Sequence, residues 1–338
     1  MIKKIVLALL IVSLAIPAFA YNELPGKGVT VKPARGPWST GYFHALIIEK
    51  GLQELGYKVQ RTKELPVALF FKTVNMGDID YWPNTWLPNQ GDYLKKSKHA
   101  SAIGYVLRKQ ALQGYAVDKK HAESLNITSL EDFKRPEVQK AFDKDGDGKA
   151  DLTGAPHGWK AVKTINQHIK EYGLSKHVKQ ISASYEAAMA ANIAAYKSGE
   201  PIFYYTWTPC WTTYKLIPGQ DVVWLNVPFN ISQTESKDDV KLMHLEDVQG
   251  AVTNPIDMGF SVADIRIVGN NEFLAKNPAA KKFFELFTID LADLSAQYTK
   301  MMEGEKSRKD INRHADEWIK NNQKAWDSWL DQARHAAN

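Results

Sequence analysis

The sequence predicts an α/β protein of two domains, and three observations carry that expectation. The chain has 338 residues, and single cores stop growing at about 250–300 residues. Its early part alternates strand, helix, strand over residues 29–59, a βαβ unit. Strand-like runs return late, at Gly259-Phe260-Ser261-Val262 and Ile265-Arg266-Ile267-Val268, after a middle portion that opens near residue 113.

Composition narrows the class. Aromatic residues make up 11% and charged residues 24%, with ten tryptophans, as in an ordinary globular chain. Two of the 43 basic residues, Lys3 and Lys4, fall in a leader expected to be removed, so the mature net charge drops from +5 to +3. The remaining basic residues form no phosphate-tracking run, which argues against a nucleic-acid partner. The single cysteine, Cys210, cannot form an intramolecular disulfide and reads as a small apolar packing residue.

Residues 1–20 read as a secretory signal: Lys3-Lys4, an apolar run from Ile5 to Ile16, and Ala18-Phe19-Ala20 as a small-x-small cleavage site. The run breaks at Pro17, short of the ~20 residues that span a bilayer. The mature chain is expected to begin at Tyr21 and to be free in a periplasm, with no membrane-spanning segment.

The elements then follow in order. Val29–Pro33 alternates as a strand, and Ser39 or Thr40 is placed to cap the helix carrying Phe43, Leu46, Ile47, Leu52 and Leu55, which Gly56 closes. Tyr57-Lys58-Val59 is the second strand. Ligands in open α/β sheets gather at the carboxyl ends of strands, where Trp38 stands as a core, lid or ligand-contact residue. A helix over residues 66–76 precedes the buried run Ile79-Asp80-Tyr81-Trp82. Ser129-Leu130-Glu131-Asp132 resembles a capping box. A helix follows Trp159, an alanine-rich helix covers Tyr185–Tyr196, and Pro201–Tyr205 and Asp221–Val227 are strands. Asn277-Pro278 starts a helix, with Asn as N-cap and Pro at the first helical position. The last helix places Ile311, Ala315, Trp318, Ile319, Trp326, Trp329 and Leu330 on one face, where tryptophans at helical spacing serve the core.

Three separated stretches each set a tryptophan beside proline or glycine: Tyr81–Gln90, Pro156–Lys160 and Tyr204–Trp211. Such neighbours favour loops, and loops on a rigid scaffold collect binding residues. Trp86, Trp159 and Trp207 are expected to converge into an aromatic cage. If a helix begins near Trp159, the N–H groups of Lys160 and Ala161 are first-turn donors suited to a carboxylate. The run from Asp143 to Asp151 spaces Asp143, Asp145, Asp147 and Asp151 around glycines. It suits a structural Ca²⁺ ion or a self-solvated acidic turn, with Gly154 where an EF-hand would carry its bidentate Glu.

These residues bring a resemblance with them. Leu24-Pro25-Gly26-Lys27-Gly28, Leu55-Gly56-Tyr57, Asp145-Gly146-Asp147-Gly148-Lys149-Ala150-Asp151, Phe203-Tyr204-Tyr205-Thr206-Trp207-Thr208-Pro209 and Lys276-Asn277-Pro278-Ala279-Ala280 recur in that order. Over the whole mature chain the sequence resembles the periplasmic glycine betaine/L-proline betaine-binding proteins of ProU-type ABC transporters. The resemblance implies the type II periplasmic binding protein fold, two α/β lobes joined by two crossovers with a ligand cleft between them. Residues 21–112 and 230–338 are expected in lobe I and residues 113–229 in lobe II. It also implies that Trp86, Trp159 and Trp207 box a quaternary ammonium, while the Lys160 and Ala161 amides meet its carboxylate. Gln90 stands where the family has a carboxylate-binding histidine. Lys160 replaces a glycine and could add a cation at the anionic end, and Ala155 and Ala161 stand where the family's best-known member has a cysteine pair. The implied partners are an ABC permease and its ATPase, with this chain a monomer needing no cofactor.

The chemistry is coherent. A trimethylammonium has no N–H, so only aromatic faces can attract it, at roughly 0.5–2 kcal/mol per contact. Same-fold alternatives are binding of choline, a sulfonium osmolyte such as dimethylsulfoniopropionate, or taurine. An enzyme is not expected: there is no His-Glu-x-x-His, Gly-x-Ser-x-Gly or Cys-x-x-Cys, and the nine histidines are scattered.

Overall fold

The computed structural model describes residues 23–38, 41–233 and 237–337. The expected leader, 1–20, and the expected caps Ser39 and Thr40 lie outside the described residues. Two sheets organise the chain. The smaller has Ala263–Asn270 at its centre, antiparallel to Tyr81–Leu87 on one side and Ala100–Ala111 on the other. The βαβ start is present beside it: Thr30–Val31 pairs in parallel with Lys58–Val59 across the helix Tyr42–Glu54, and Ala34–Arg35 pairs with Lys63–Glu64. The larger sheet orders Val222–Trp224, Gln113–Asp118, Phe203–Trp207, Ala150–Thr153 and Val178–Ile181. Gln113–Asp118 runs antiparallel to both neighbours, while the last three strands are parallel, as helix-linked strands must be.

The chain passes between sheets at Leu112, which separates Ala100–Ala111 from Gln113–Asp118. There the Leu112 N–H donates to Thr208 Oγ1 at 3.1 Å and the Thr208 N–H to the Leu112 carbonyl at 3.0 Å. Residues just after 230 stay bonded beside the larger sheet. Asn230 Nδ2 donates to Asp257 Oδ1 at 2.6 Å and the Val227 N–H to the Asp257 carbonyl at 2.8 Å. Ile256 and Met258 pack with Trp224 of the larger sheet. The described part of 230–258 thus keeps its bonds on that side, and Ala263–Asn270 is the first strand back.

The terminal helical face is two helices rather than one, Arg308–Asn321 and Gln323–His335. Asn322 breaks it, its side chain bonding back to the Trp318 carbonyl at 2.9 Å in the manner that lets Asn compete with helical ladders. Trp318, Trp326 and Trp329 do pack inward, Trp326 on Phe283 at 5.7 Å and Trp329 on Phe287 at 5.8 Å between ring centres. Gly104 takes a positive φ of 58° directly against the Phe284 carbonyl, where a Cβ would collide. No helix among the described residues is long and apolar enough to cross a membrane.

Candidate functional site

Trp86 is a strand residue, contrary to the expected loop, because a bulge absorbs the proline. Opposite Ala263–Asn270, Trp86 faces Ile265, Thr85 faces Arg266, and Trp82 faces Val268, so one extra residue is held between Trp82 and Thr85. Pro83 and Asn84 occupy that irregularity, where a missing N–H is tolerated. In a regular strand Trp82 and Trp86 would share a face. Instead Trp82 packs on Phe70 at 4.6 Å in a secondary core, while Trp86 lines the cleft. Trp207 is the last residue of Phe203–Trp207, and Trp159 is the N-cap of the helix Lys160–Glu171.

All three meet in one cavity of about 340 Å³, which Trp38, Gln90, Lys160 and Ala161 also line. Trp159 stands edge-on to Trp207 at 5.4 Å and 63°, and to Trp38 at 6.1 Å and 71°. Trp86 forms a separate wall, its indole N–H given to Asn84 Oδ1 at 3.0 Å. Residual exposures of 8% for Trp86 and 6% for Trp207 show rings that are packed yet reach the hollow. Tyr185 braces the second lobe's pair from behind, 4.5 Å from Trp207 and 6.5 Å from Trp159.

The polar groups divide clearly. Lys160 and Ala161 are the first two helical residues, with no carbonyl four residues back to receive their N–H groups. The Lys160 side chain donates to the Asn89 carbonyl at 2.7 Å. Gln90 turns its amide oxygen toward the Trp86 backbone N–H at 3.4 Å. The Tyr205 hydroxyl donates to Gln113 Oε1 at 2.7 Å, and burial pushes its pKa far up, so the phenol stays neutral. No Asp or Glu lines the cavity among the described residues.

The acidic run lies elsewhere. Asp143, Asp145 and Asp151 can bring oxygens within 4.8 Å of one another. Lys179 occupies that cluster, bonded to Asp145, 2.6 Å from Asp147 and 3.4 Å from Asp151. Its hydrogen bonds to Asp145 and Asp147 raise its pKa and lower that of Asp147. Asp143 already accepts from the Gly146 and Gly148 N–H groups at 2.8 and 2.9 Å. The Lys179 ammonium thus sits among these carboxylates and offsets one of their charges.

Tyr205, Gln113, Phe260 and Tyr93 in the lining, and the pair His44–Asn84 beside it, are not among the expected site residues. Tyr205 and Asn84 sit within the tryptophan stretches, which was the available signal. His44 and Gln113 carried none, being single polar residues in apolar surroundings.

The chain matches the family model for the substrate binding domain of ABC-type glycine betaine transport systems over residues 29–321. It is 40% identical to the glycine betaine-binding periplasmic protein OusX of Dickeya dadantii over 323 residues, 94% of each chain. It is 38% identical to the glycine betaine/proline betaine-binding periplasmic protein of Escherichia coli over 314 residues, 92% of each chain. The fold is similar to that of lactococcal OpuAC, solved closed with glycine betaine (TM-score 0.65, 22% identity, 89% of this chain and 99% of that one). It is also similar to an ABC-transporter choline binding protein solved with choline (TM-score 0.67, 18% identity, 91% and 96%). With its two α/β lobes and the cleft between them, the chain has the type II periplasmic binding protein fold and belongs to the family of substrate-binding domains of ABC-type glycine betaine transport systems.

Proposed function

We propose that the protein captures glycine betaine, or a closely related quaternary ammonium osmolyte, between its lobes and delivers it to an ABC permease driven by a cytoplasmic ATPase. One observation carries the proposal: the interlobe cavity is walled by four indoles and, among the described residues, by no carboxylate. A primary ammonium in such a place would meet no carboxylate among the described residues to pair with, whereas a methylated cation needs no hydrogen-bond acceptor and is attracted by the ring faces. Trp86 and Trp38 supply one side, Trp159 and Trp207 the other. The ligand's carboxylate then lies against the Lys160 and Ala161 N–H groups, with the helix dipole and the Gln90 Nε2 hydrogens adding to the attraction.

Ligand bridging the lobes favours the closed arrangement by no more than its differential affinity for it. Two supports point to binding without turnover: the family and the aromatic lining. We assign 23–112 and 263–337 to the first lobe and 113–262 to the second, Phe260 packing on Tyr115, His168 and Tyr205. The Asp143–Asp151 loop is read as an acidic turn closed by Lys179 rather than a calcium site. Export to a periplasm by the leader 1–20, and action as a monomer, complete the proposal.

Calorimetric titration with glycine betaine, proline betaine, choline, dimethylsulfoniopropionate and taurine tests it. The betaines should bind in the micromolar range, which corresponds to about 8 kcal/mol. Choline, with no anion for the backbone donors, should bind more weakly, and taurine should not compete. Preferential binding of taurine would overturn the proposal.

A further inference from the structure

We infer that Asn84, oriented by His44, is the positioning residue of the first lobe's half of the cage, one side-chain oxygen fixing the rings of Trp38 and Trp86 together. Only the effect on affinity rests on the betaine reading above. Both indole N–H groups donate to Asn84 Oδ1, each at 3.0 Å. Two donors converging on one atom require an acceptor, so the amide must turn its oxygen to the rings and its NH₂ away. The NH₂ then meets His44 Nε2 at 3.1 Å.

His44 and Asn84 are both fully buried. Burial lowers the His44 pKa to about 4, leaving a neutral imidazole. With its proton on Nδ1, that ring accepts at Nε2, which is what the Asn84 NH₂ needs. The chain of contacts therefore runs from the helix Tyr42–Glu54, through the strand irregularity at Pro83–Asn84, to two rings of the cavity wall. Trp38 and Trp86 come from separate parts of the chain, and this shared oxygen is what couples their tilt. Attraction to a cation depends on the ring face pointing at it, so a ring that turns to find another acceptor loses its aim.

A side chain that merely filled space would be replaceable by any of similar size. Asn84→Leu keeps the size and removes the acceptor. Asn84→Asp keeps the acceptor, and His44 can meet it by moving its proton to Nε2. Glycine betaine titration should show Asn84→Leu weakened about tenfold or more, as expected when buried N–H groups lose their partner. Asn84→Asp should fall between Asn84→Leu and the unaltered protein. In ¹⁵N-tryptophan spectra without ligand, the Trp38 and Trp86 indole signals should shift together in Asn84→Leu while that of Trp326, bonded to Glu54, stays in place. Unaltered affinity in Asn84→Leu, or equal damage in both variants, would overturn the inference. Should Asn84→Leu not fold, indole hydrogen exchange in the unaltered protein decides. Protection of both protons supports the inference, and rapid exchange of either refutes it. The exchange needs no ligand, so failure to bind betaine would count against the proposed function alone.

Discussion

The Lys160 ammonium lies 3.4 Å from the Asp92 carboxylate, so a side chain of one lobe is held by the other. The same nitrogen meets the Asn89 carbonyl, so the lysine expected near the ligand's anion also links the two sides of the cleft. The pair is partly exposed, 35% and 28%, and such pairs contribute modestly. Lys160→Ala is expected to raise the Kd for glycine betaine about two- to fivefold, through easier opening. The effect should shrink in high salt as screening weakens the pair. Calorimetry at two ionic strengths checks it, and a salt-independent loss would mean the ammonium touches ligand directly.

Substituting the cage rings separates attraction from packing. Phenylalanine retains apolar bulk but has a weaker face, so Trp159→Phe and Trp207→Phe should each cost about 0.5–2 kcal/mol of binding. Thermal unfolding without ligand should change far less than with alanine, which leaves a cavity worth about 3–5 kcal/mol. Equal binding by all Phe variants would remove the rings from the site.

Stability should fall on mild acidification. Burial holds His44 at about 4 and His168 at about 3, against an ordinary 6.5 in the unfolded chain. Below 6.5 the unfolded chain takes up protons that the folded one refuses. Stability is therefore full above that pH and is lost toward pH 4, at up to about 1.4 kcal/mol per pH unit for each histidine. Urea unfolding between pH 7.5 and 4.5 measures the slope, which His168→Gln should reduce.

Cys210 should be silent. It is fully buried, and burial pushes its thiol up to about 12. Ellman's reagent should label it only in denaturant; rapid labelling of the folded protein would contradict the packing described.

Calcium should be irrelevant to the native acidic turn. Adding EDTA or millimolar Ca²⁺ should leave the melting temperature unchanged, because Lys179 fills the cluster. Lys179→Met should lower the melting temperature and make it respond to Ca²⁺. A melting temperature of the unaltered protein that falls in EDTA would reinstate the ion.

Much of the site was legible because tryptophan beside proline or glycine is a loud local signal. Trp86, Trp159, Trp207, Gln90, Lys160 and Ala161 share one cavity with Trp38. What escaped was set by distance. Lys160 finds Asn89 71 positions away, and Lys179 reaches Asp145 across 34, so neither partner is visible in local spacing. Pro83 and Pro88 read as loop punctuation around Trp86, yet a bulge let the first sit inside a strand. Nothing local reports that the residues after 230 bond to partners such as Asn226 and Asp257. His44 looked like one more residue on an apolar helix face.

The bulge between Trp82 and Thr85 has a further consequence. A single residue's offset decides whether an indole meets ligand or vanishes into the interior, so this wall can be retuned by exchanging side chains but not by changing length. Deleting one residue there would swing Trp86 away from the hollow. The wall bearing Trp159 hangs from the turn ahead of a helix and carries no such lock, so evolutionary insertions that reshape ligand choice should accumulate on that side.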